Sequence, residues 1–314
     1  MSEPFRIGYV GLGNMGTHMC NNLGRYASQN QLSPLTIWNR STDKYASVSE
    51  DCKGAHLAHQ VSEVPEKSNI IFTCLLNDAA ALDVYGQMLK VVKAKTIFVD
   101  QSSLNPKTSR KLREDAEKVG ATYLSCPVFG PPAVAKAAQL VLVVSGAEEG
   151  RDRVKPLLVP AVGKSIIDVG EDVGKGASLK LLGNTCILGT IELLSEAYAL
   201  ADSIDFDPAV FQNFIQQWFP APAWKNYGTK ISKGTFSGTN GFRIDGGLKD
   251  ANHILSLGQD MGHPCPVPTI ERAVKNLNRA KEIGGPGMDW SSLAIAQRES
   301  VGLEPFRPGS DQGK

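Results

Sequence analysis

Apolar and polar positions along the chain follow two different periods. Up to about residue 170, the short apolar runs RIGYVG, LTIW, NIIFTCLL, TIFVD, TYLSCPV, LVLVVSG and SIIDVG alternate with amphipathic segments such as NPKTSRKLREDAEKVG. The runs have strand length and stand between helical patterns, which predicts a mostly parallel, doubly wound α/β sheet of Rossmann type. After about residue 174 the strand pattern stops, and LKLLGNTCILGTIELLSEAYALADS, PAVFQNFIQQWF, GGLKDANHILSLGQDMG and PTIERAVKNLNRAKEI carry helical spacing. With 314 residues the chain exceeds one ordinary core, so two domains are expected: residues 1–173 around the sheet and residues 174–314 all-α, joined by a long helix.

The first run leads directly into Gly11-Leu12-Gly13-Asn14-Met15-Gly16 and then a helical pattern. Between a strand and a helix, GxGxxG is a dinucleotide signal: the first glycine allows a tight turn, the second admits the pyrophosphate, and the third lets the helix pack closely. An NAD-binding sheet usually ends its second strand with an acid that holds the ribose hydroxyls. Here that place reads Asn39-Arg40-Ser41-Thr42. A guanidinium suits a 2′-phosphate, so NADP(H) is the expected cofactor; the alternative is a surface arginine and no discrimination. Ligands of such sheets collect at the carboxyl ends of strands, where Leu75 and Leu76 follow one run and Ser102 and Ser103 another.

Charge adds little: 33 Lys and Arg balance 32 Asp and Glu, which gives no electrostatic case for nucleic acid or an anionic membrane. No basic leader precedes the first strand and no segment reads as a membrane span, so a soluble, cytoplasmic chain is expected. Six scattered cysteines read as reduced, buried thiols, and the closing RPGSDQGK as a frayed tail. His56 and His59 form an HxxH that lacks a nearby glutamate or third ligand, so no metal is expected.

One residue stands out in the helical half. In GKGASLKLLGNTC, Lys180 lies among leucines, and Asn184 shares its helix face one turn later. Taken alone, Lys180 reads as a snorkelling lysine. The set IGYVGLGNMGTHMCNNL, WNRST, VDQSSLNP, CPVFGPPAVAKAAQL, GKGASLKLLGNTC and GFRIDGGLKDAN, in this order over nearly the whole chain, resembles the 3-hydroxyisobutyrate dehydrogenase family of β-hydroxyacid dehydrogenases. The resemblance implies a Rossmann domain, a helical domain of the 6-phosphogluconate dehydrogenase type, an active site in the cleft between them, and a homodimer or tetramer. It also implies that Lys180 is the catalytic general acid/base and that Asn184 helps to hold the substrate. Lys249 and Asp250 match the late KD pair at the cofactor and substrate, with Phe242 as a wall, and Ser102 and Ser103 match the substrate loop. Glu196 matches a polar position for which a structural role is expected.

The chain departs from the pattern where the family usually reads PVSGG. Pro127-Val128-Phe129-Gly130-Pro131-Pro132 puts a phenyl ring in place of the hydroxyl, and two prolines remove N–H donors. A carboxylate cradle is thereby impaired. Phe129, with Trp218, Phe219 and Trp224, is expected to line a pocket for a bulkier or less anionic substrate, unless those aromatics are core. Two other functions stay open. Imine reductases share the architecture and the NADP loop, although their proton donor is commonly Asp or Tyr. A non-catalytic cofactor-binding scaffold is the other, although Lys180 is retained and no basic arm is present.

Overall fold

A computed structural model describes residues 3–48, 50–239 and 241–310 of the chain. The elements of the first half are β1 (Ile7–Val10), α1 (Gly16–Gln29), β2 (Thr36–Trp38), β3 (His56–Leu57), α2 (Glu63–Lys67), β4 (Ile70–Thr73), α3 (Asp78–Met88), β5 (Ile97–Asp100), α4 (Pro106–Lys118) and β6 (Thr122–Ser125). Then come β7 (Val128–Phe129), α5 (Pro132–Lys136), β8 (Leu140–Val144), α6 (Glu148–Leu158) and β9 (Gly163–Asp168). β1 to β6 form one parallel sheet in the order β3-β2-β1-β4-β5-β6, the order of a dinucleotide-binding sheet. β1, β4 and β5 are buried along their whole length, and side chains leave them alternately for two cores: Ile7 and Tyr9 join Leu23 and Phe72, while Val10 joins Ile71, Phe98 and Tyr85. Burial on both faces is why these runs are continuously apolar.

The sheet is smaller than the pattern suggested. TYLSCPV is two strands, because Pro127 has no N–H to continue the ladder; β7 runs antiparallel to β8, and β8 pairs with β9 in a separate three-stranded sheet. β3 escaped notice because it is two residues long and exposed. The HxxH also reads differently in three dimensions. His56 Nε2 lies 2.7 Å from Glu63, a glutamate the sequence reading passed over. Backbone donors at Gln60, then the His56 ring, lower the Glu63 carboxyl to about 2.

The second half comprises α7 (Val173–Ser203), α8 (Pro208–Trp218), α9 (Pro222–Lys233), α10 (Ile244–Asp260), α11 (Pro268–Gly284) and α12 (Leu293–Ser300). The chain divides into two compact units, Met1–Lys180 and Leu181–Lys314. The division falls inside α7, later than the 173/174 boundary expected, because the first two turns of α7 pack with the sheet unit. By length and composition α7 is apolar enough to cross a membrane, contrary to expectation; its Leu181, Leu188, Ile191 and Leu194 lie in the core of the helical unit. Phe219 and Trp224 stack at 4.3 Å against that core, whereas Trp218 is 72% exposed. All six cysteines are free, but Cys186 and Cys265 are exposed. The expected tail is held at Arg307, which donates to Asp202 at 2.7 Å; Asp311–Lys314 lie outside the described residues.

Glu192 is the most unusual group of the helical unit. It is 1% exposed on α7, receives one hydrogen bond from Asn276 Nδ2 on α11 (2.7 Å), and its Oε2 has no partner among the described residues. Burial, then the nearby Glu196, push it up to about 7 against the weaker pull of Asn276 and Arg272. The folded chain thus binds a proton that the unfolded chain has released, so stability is greatest below the ordinary carboxylate range and falls as pH rises through 7. The whole effect is at most about 3 kcal/mol. Urea midpoints measured from pH 5 to 8 should decline by an amount that Glu192→Gln abolishes; an unchanged slope in the variant would assign the decline to other groups.

Candidate active site

At the glycine loop, each glycine answers a different demand. Gly11 has φ +102° and a Cβ there would stand 2.3 Å from the Cys74 carbonyl; at Gly16 it would stand 2.0 Å from the Gly11 carbonyl. Those two serve the turn itself. Gly13 would meet no protein atom within 4 Å, and it and Asn14 are exposed, so the loop presents open backbone there. α1 begins at once behind it, with Met15 at the N-cap, no side-chain cap and no acid in the first turn. An anion meets free amides and a favourable dipole at such a helix start, so a dinucleotide pyrophosphate fits these residues.

Asn39 ties the end of β2 to this loop. Its Oδ1 accepts from Leu12 N (2.8 Å) and its Nδ2 donates to the Ser41 carbonyl (2.9 Å). Tyr45, unremarked in the sequence, receives the Asn39 N–H (3.3 Å) and donates to the Ala58 carbonyl (2.6 Å). The Asn39 amide is therefore used within the protein, whereas Arg40, Ser41 and Thr42 beside it are exposed.

The carboxyl ends of β4 and β5 are tied by a buried carboxylate that the sequence reading missed. Asp100 accepts from Ser102 N (2.9 Å) and from Tyr123 Oη (3.0 Å). Burial raises its pKa, and the hydrogen bonds from Ser102, Tyr123 and Thr73 oppose the rise. Ser102 Oγ accepts from Leu75 N (2.8 Å) and also bonds to Asp100. The buried Ser102 hydroxyl thus also holds the loop at this strand end. Ser103 is half-buried next to it, and Leu76 is 73% exposed, an apolar side chain bared at a strand end. The signal that could have found Asp100 is an acid closing an otherwise apolar strand.

The start of α7 fixes Lys180. Asp172 caps it by accepting from Gly174 N (2.9 Å), and Arg110 on α4 grips the same carboxylate with two hydrogen bonds of 3.1 and 2.9 Å. Arg110 in turn lowers the Asp172 pKa. A Cβ at Gly174 would collide with the Arg110 guanidinium at 2.4 Å, and one at Gly176 with Ser145 Oγ at 2.4 Å. Glycine at 176 lets the helix backbone rest on Ser145 and Ser125. Lys180, one turn later on the same face, is half-buried, with Nζ 4.3 Å from the centre of the Phe129 ring. Phe129 stands on β7 opposite Val141, and Gly130 follows with φ +140°, where a Cβ would strike Leu140 and Val134.

Within the helical unit a second group forms around Asp250, which is 1% exposed. Asn184 Nδ2 donates to Asp250 Oδ2 (2.6 Å), and Lys249 Nζ lies 3.1 Å from the other oxygen. With the Asn184 NH₂ turned toward Asp250, the amide oxygen is left for another donor. Asp250, expected at the substrate, here touches Asn184 and Lys249. Phe242 packs edge-on against Trp290 at 4.9 Å, and its N–H donates to Asp289 (2.9 Å).

Residues 6–170 match the family model for the NAD-binding domain of 6-phosphogluconate dehydrogenase, slightly more than half of the chain. The chain is 30% identical over 293 residues to the NADH-dependent oxidoreductase ucdB of Aspergillus ustus, covering 93% of this chain and 98% of that protein. It is also 30% identical over 296 residues to the 2-hydroxy-3-oxopropionate reductase of Escherichia coli strain K12, covering 93% and 96%. In fold it resembles the 3-hydroxyisobutyrate dehydrogenase of Salmonella typhimurium (TM-score 0.78, 18% identity, 92% and 99% coverage). It likewise resembles a reductive aminase from Aspergillus terreus solved with NADPH and ethyl-5-oxohexanoate (TM-score 0.59, 23% identity, 93% and 98% coverage). The chain is an oxidoreductase of the NAD(P)-binding β-hydroxyacid dehydrogenase family.

Proposed function

We propose that the chain is an NADP(H)-dependent dehydrogenase or reductase of small carbonyl and hydroxyl substrates, with Lys180 as its general acid/base. The observation that carries this reading is the place of the Lys180 ammonium, folded onto an aromatic face from a helix turn that Arg110, Asp172 and Gly176 hold in place. A snorkelling lysine extends toward water instead.

The dinucleotide supplies hydride when bound. As a carbonyl oxygen gains negative charge, the Lys180 ammonium stabilises it and gives up a proton; in the reverse direction the amine takes the hydroxyl proton. Asn184, oriented by Asp250, has its amide oxygen available to receive a substrate hydroxyl. Gly11 to Gly16, Leu75, Leu76 and Lys249 are assigned to the cofactor, and Ser103, Phe129 and Phe242 to the substrate.

Arg40 beside two exposed hydroxyls supports NADP(H), as does the lack of a carboxylate at Asn39. The Aspergillus ustus relative is NADH-dependent by name, so the preference rests on this loop alone. A reductive-aminase reading draws on the ring at Phe129, and ketone reduction with and without an amine distinguishes the two. Bared Leu200, Ile204, Phe214 and Trp218 on the helical unit support self-association.

Lys180→Ala should retain NADPH affinity, measured by fluorescence titration, while turnover across a carbonyl panel falls at least about a hundredfold. Turnover within tenfold of the parent would remove Lys180 from the chemistry. Arg40→Ala should narrow the ratio of kcat/KM for NADPH over NADH by roughly tenfold or more, in line with a lost charge-assisted contact. An unaltered ratio would make Arg40 a bystander.

A further inference from the structure

Lys180 and Phe129 meet across short, stiff supports. β7 is held to β8 by the Val128↔Leu142 and Phe129↔Val141 pairs, and Val143 N donates to the Pro127 carbonyl (2.9 Å). Val128 turns inward, so the next side chain must leave on the opposite face. Gly130 is locked by its own packing, and Pro131 and Pro132 follow without N–H groups. On the other side, Gly176 seats α7 against Ser145 one turn before Lys180. The ring is therefore presented to the ammonium by two pieces of fixed backbone.

We propose that Phe129 is a positioning and specificity-determining residue: its ring face steadies the Lys180 ammonium where a substrate carboxylate would otherwise pair with it, so the site favours carbonyl compounds that carry no carboxylate. The inference rests on Lys180 being the proton donor. An aromatic face carries the negative end of a quadrupole, so it attracts the ammonium and repels an incoming anion. The prolines add to this effect, since residues 131 and 132, at the start of α5, offer an anion no amide donor. A neutral carbonyl meets neither penalty and still receives its proton from Nζ.

The test uses two substrates with the same reacting aldehyde, 4-oxobutanoate and its methyl ester, which differ in charge and by one methyl group, with NADPH. The parent enzyme should favour the ester in kcat/KM by about tenfold or more, the worth of one charge-assisted contact. Phe129→Ser should move the ester-to-acid ratio toward the acid by at least about tenfold, chiefly through KM for the acid. Phe129→Tyr, which keeps the ring, should keep the parent ratio. Phe129→Leu, which keeps apolar bulk without the quadrupole, should lower kcat for the ester, with NADPH binding and melting temperature near those of the parent. A parent preference for the acid, or one ratio shared by the parent and the Ser and Leu variants, would overturn the assignment of Phe129. If Lys180→Ala left turnover intact, the proton-donor reading itself would fall, whatever the ratios; if it abolished turnover while the ratios stayed level, only the role of Phe129 would.

Discussion

The seating of α7 on the sheet unit is the constraint on which the site depends. A lysine has four rotatable bonds, and ordering it costs entropy unless its backbone is already placed. Here the placement is made before the side chain is reached. Asp172 satisfies an orphan amide at the helix start, Arg110 holds Asp172, and Gly176 brings the backbone down onto Ser145. Each interaction is ordinary, and together they fix one turn of helix whose next residue on that face is Lys180.

A second theme is the use of polar side chains to hold loops, leaving neighbouring positions open. Asp100 and Ser102 fix the segments after β4 and β5, as Asn39 fixes the glycine loop. In the helical unit Asp250 on α10 bonds to Asn184 on α7 and pairs with its neighbour Lys249. Asp100 and Ser102 are buried, so an unmet hydrogen bond there is costly and the bonds they make stiffen the loop.

Much of this was legible in the residues. The alternation of strand and helix, the glycine spacing and the helical second half all follow from periodicity, and Lys180 was conspicuous as a charge among leucines. Other features were hidden for physical reasons. Pro127 turned one apolar run into strands of two sheets, which a hydropathy pattern does not register. The partners of Asp100 and Asp172 are far away in the chain, so their roles appear only when tertiary contacts are known. Serine shows the same limit: the bonds of Ser102 to Leu75 and Asp100 cannot be read from its position at a strand end.

The engagement of the Asn39 amide has a consequence for how such a binding loop can change. Its oxygen and nitrogen both bond to backbone, so the shape of the turn belongs to residue 39, while the exposed side chains of its neighbours take no part in those bonds. Shape and exposed surface are thus encoded separately at adjacent codons, and the latter can drift without the former being rebuilt.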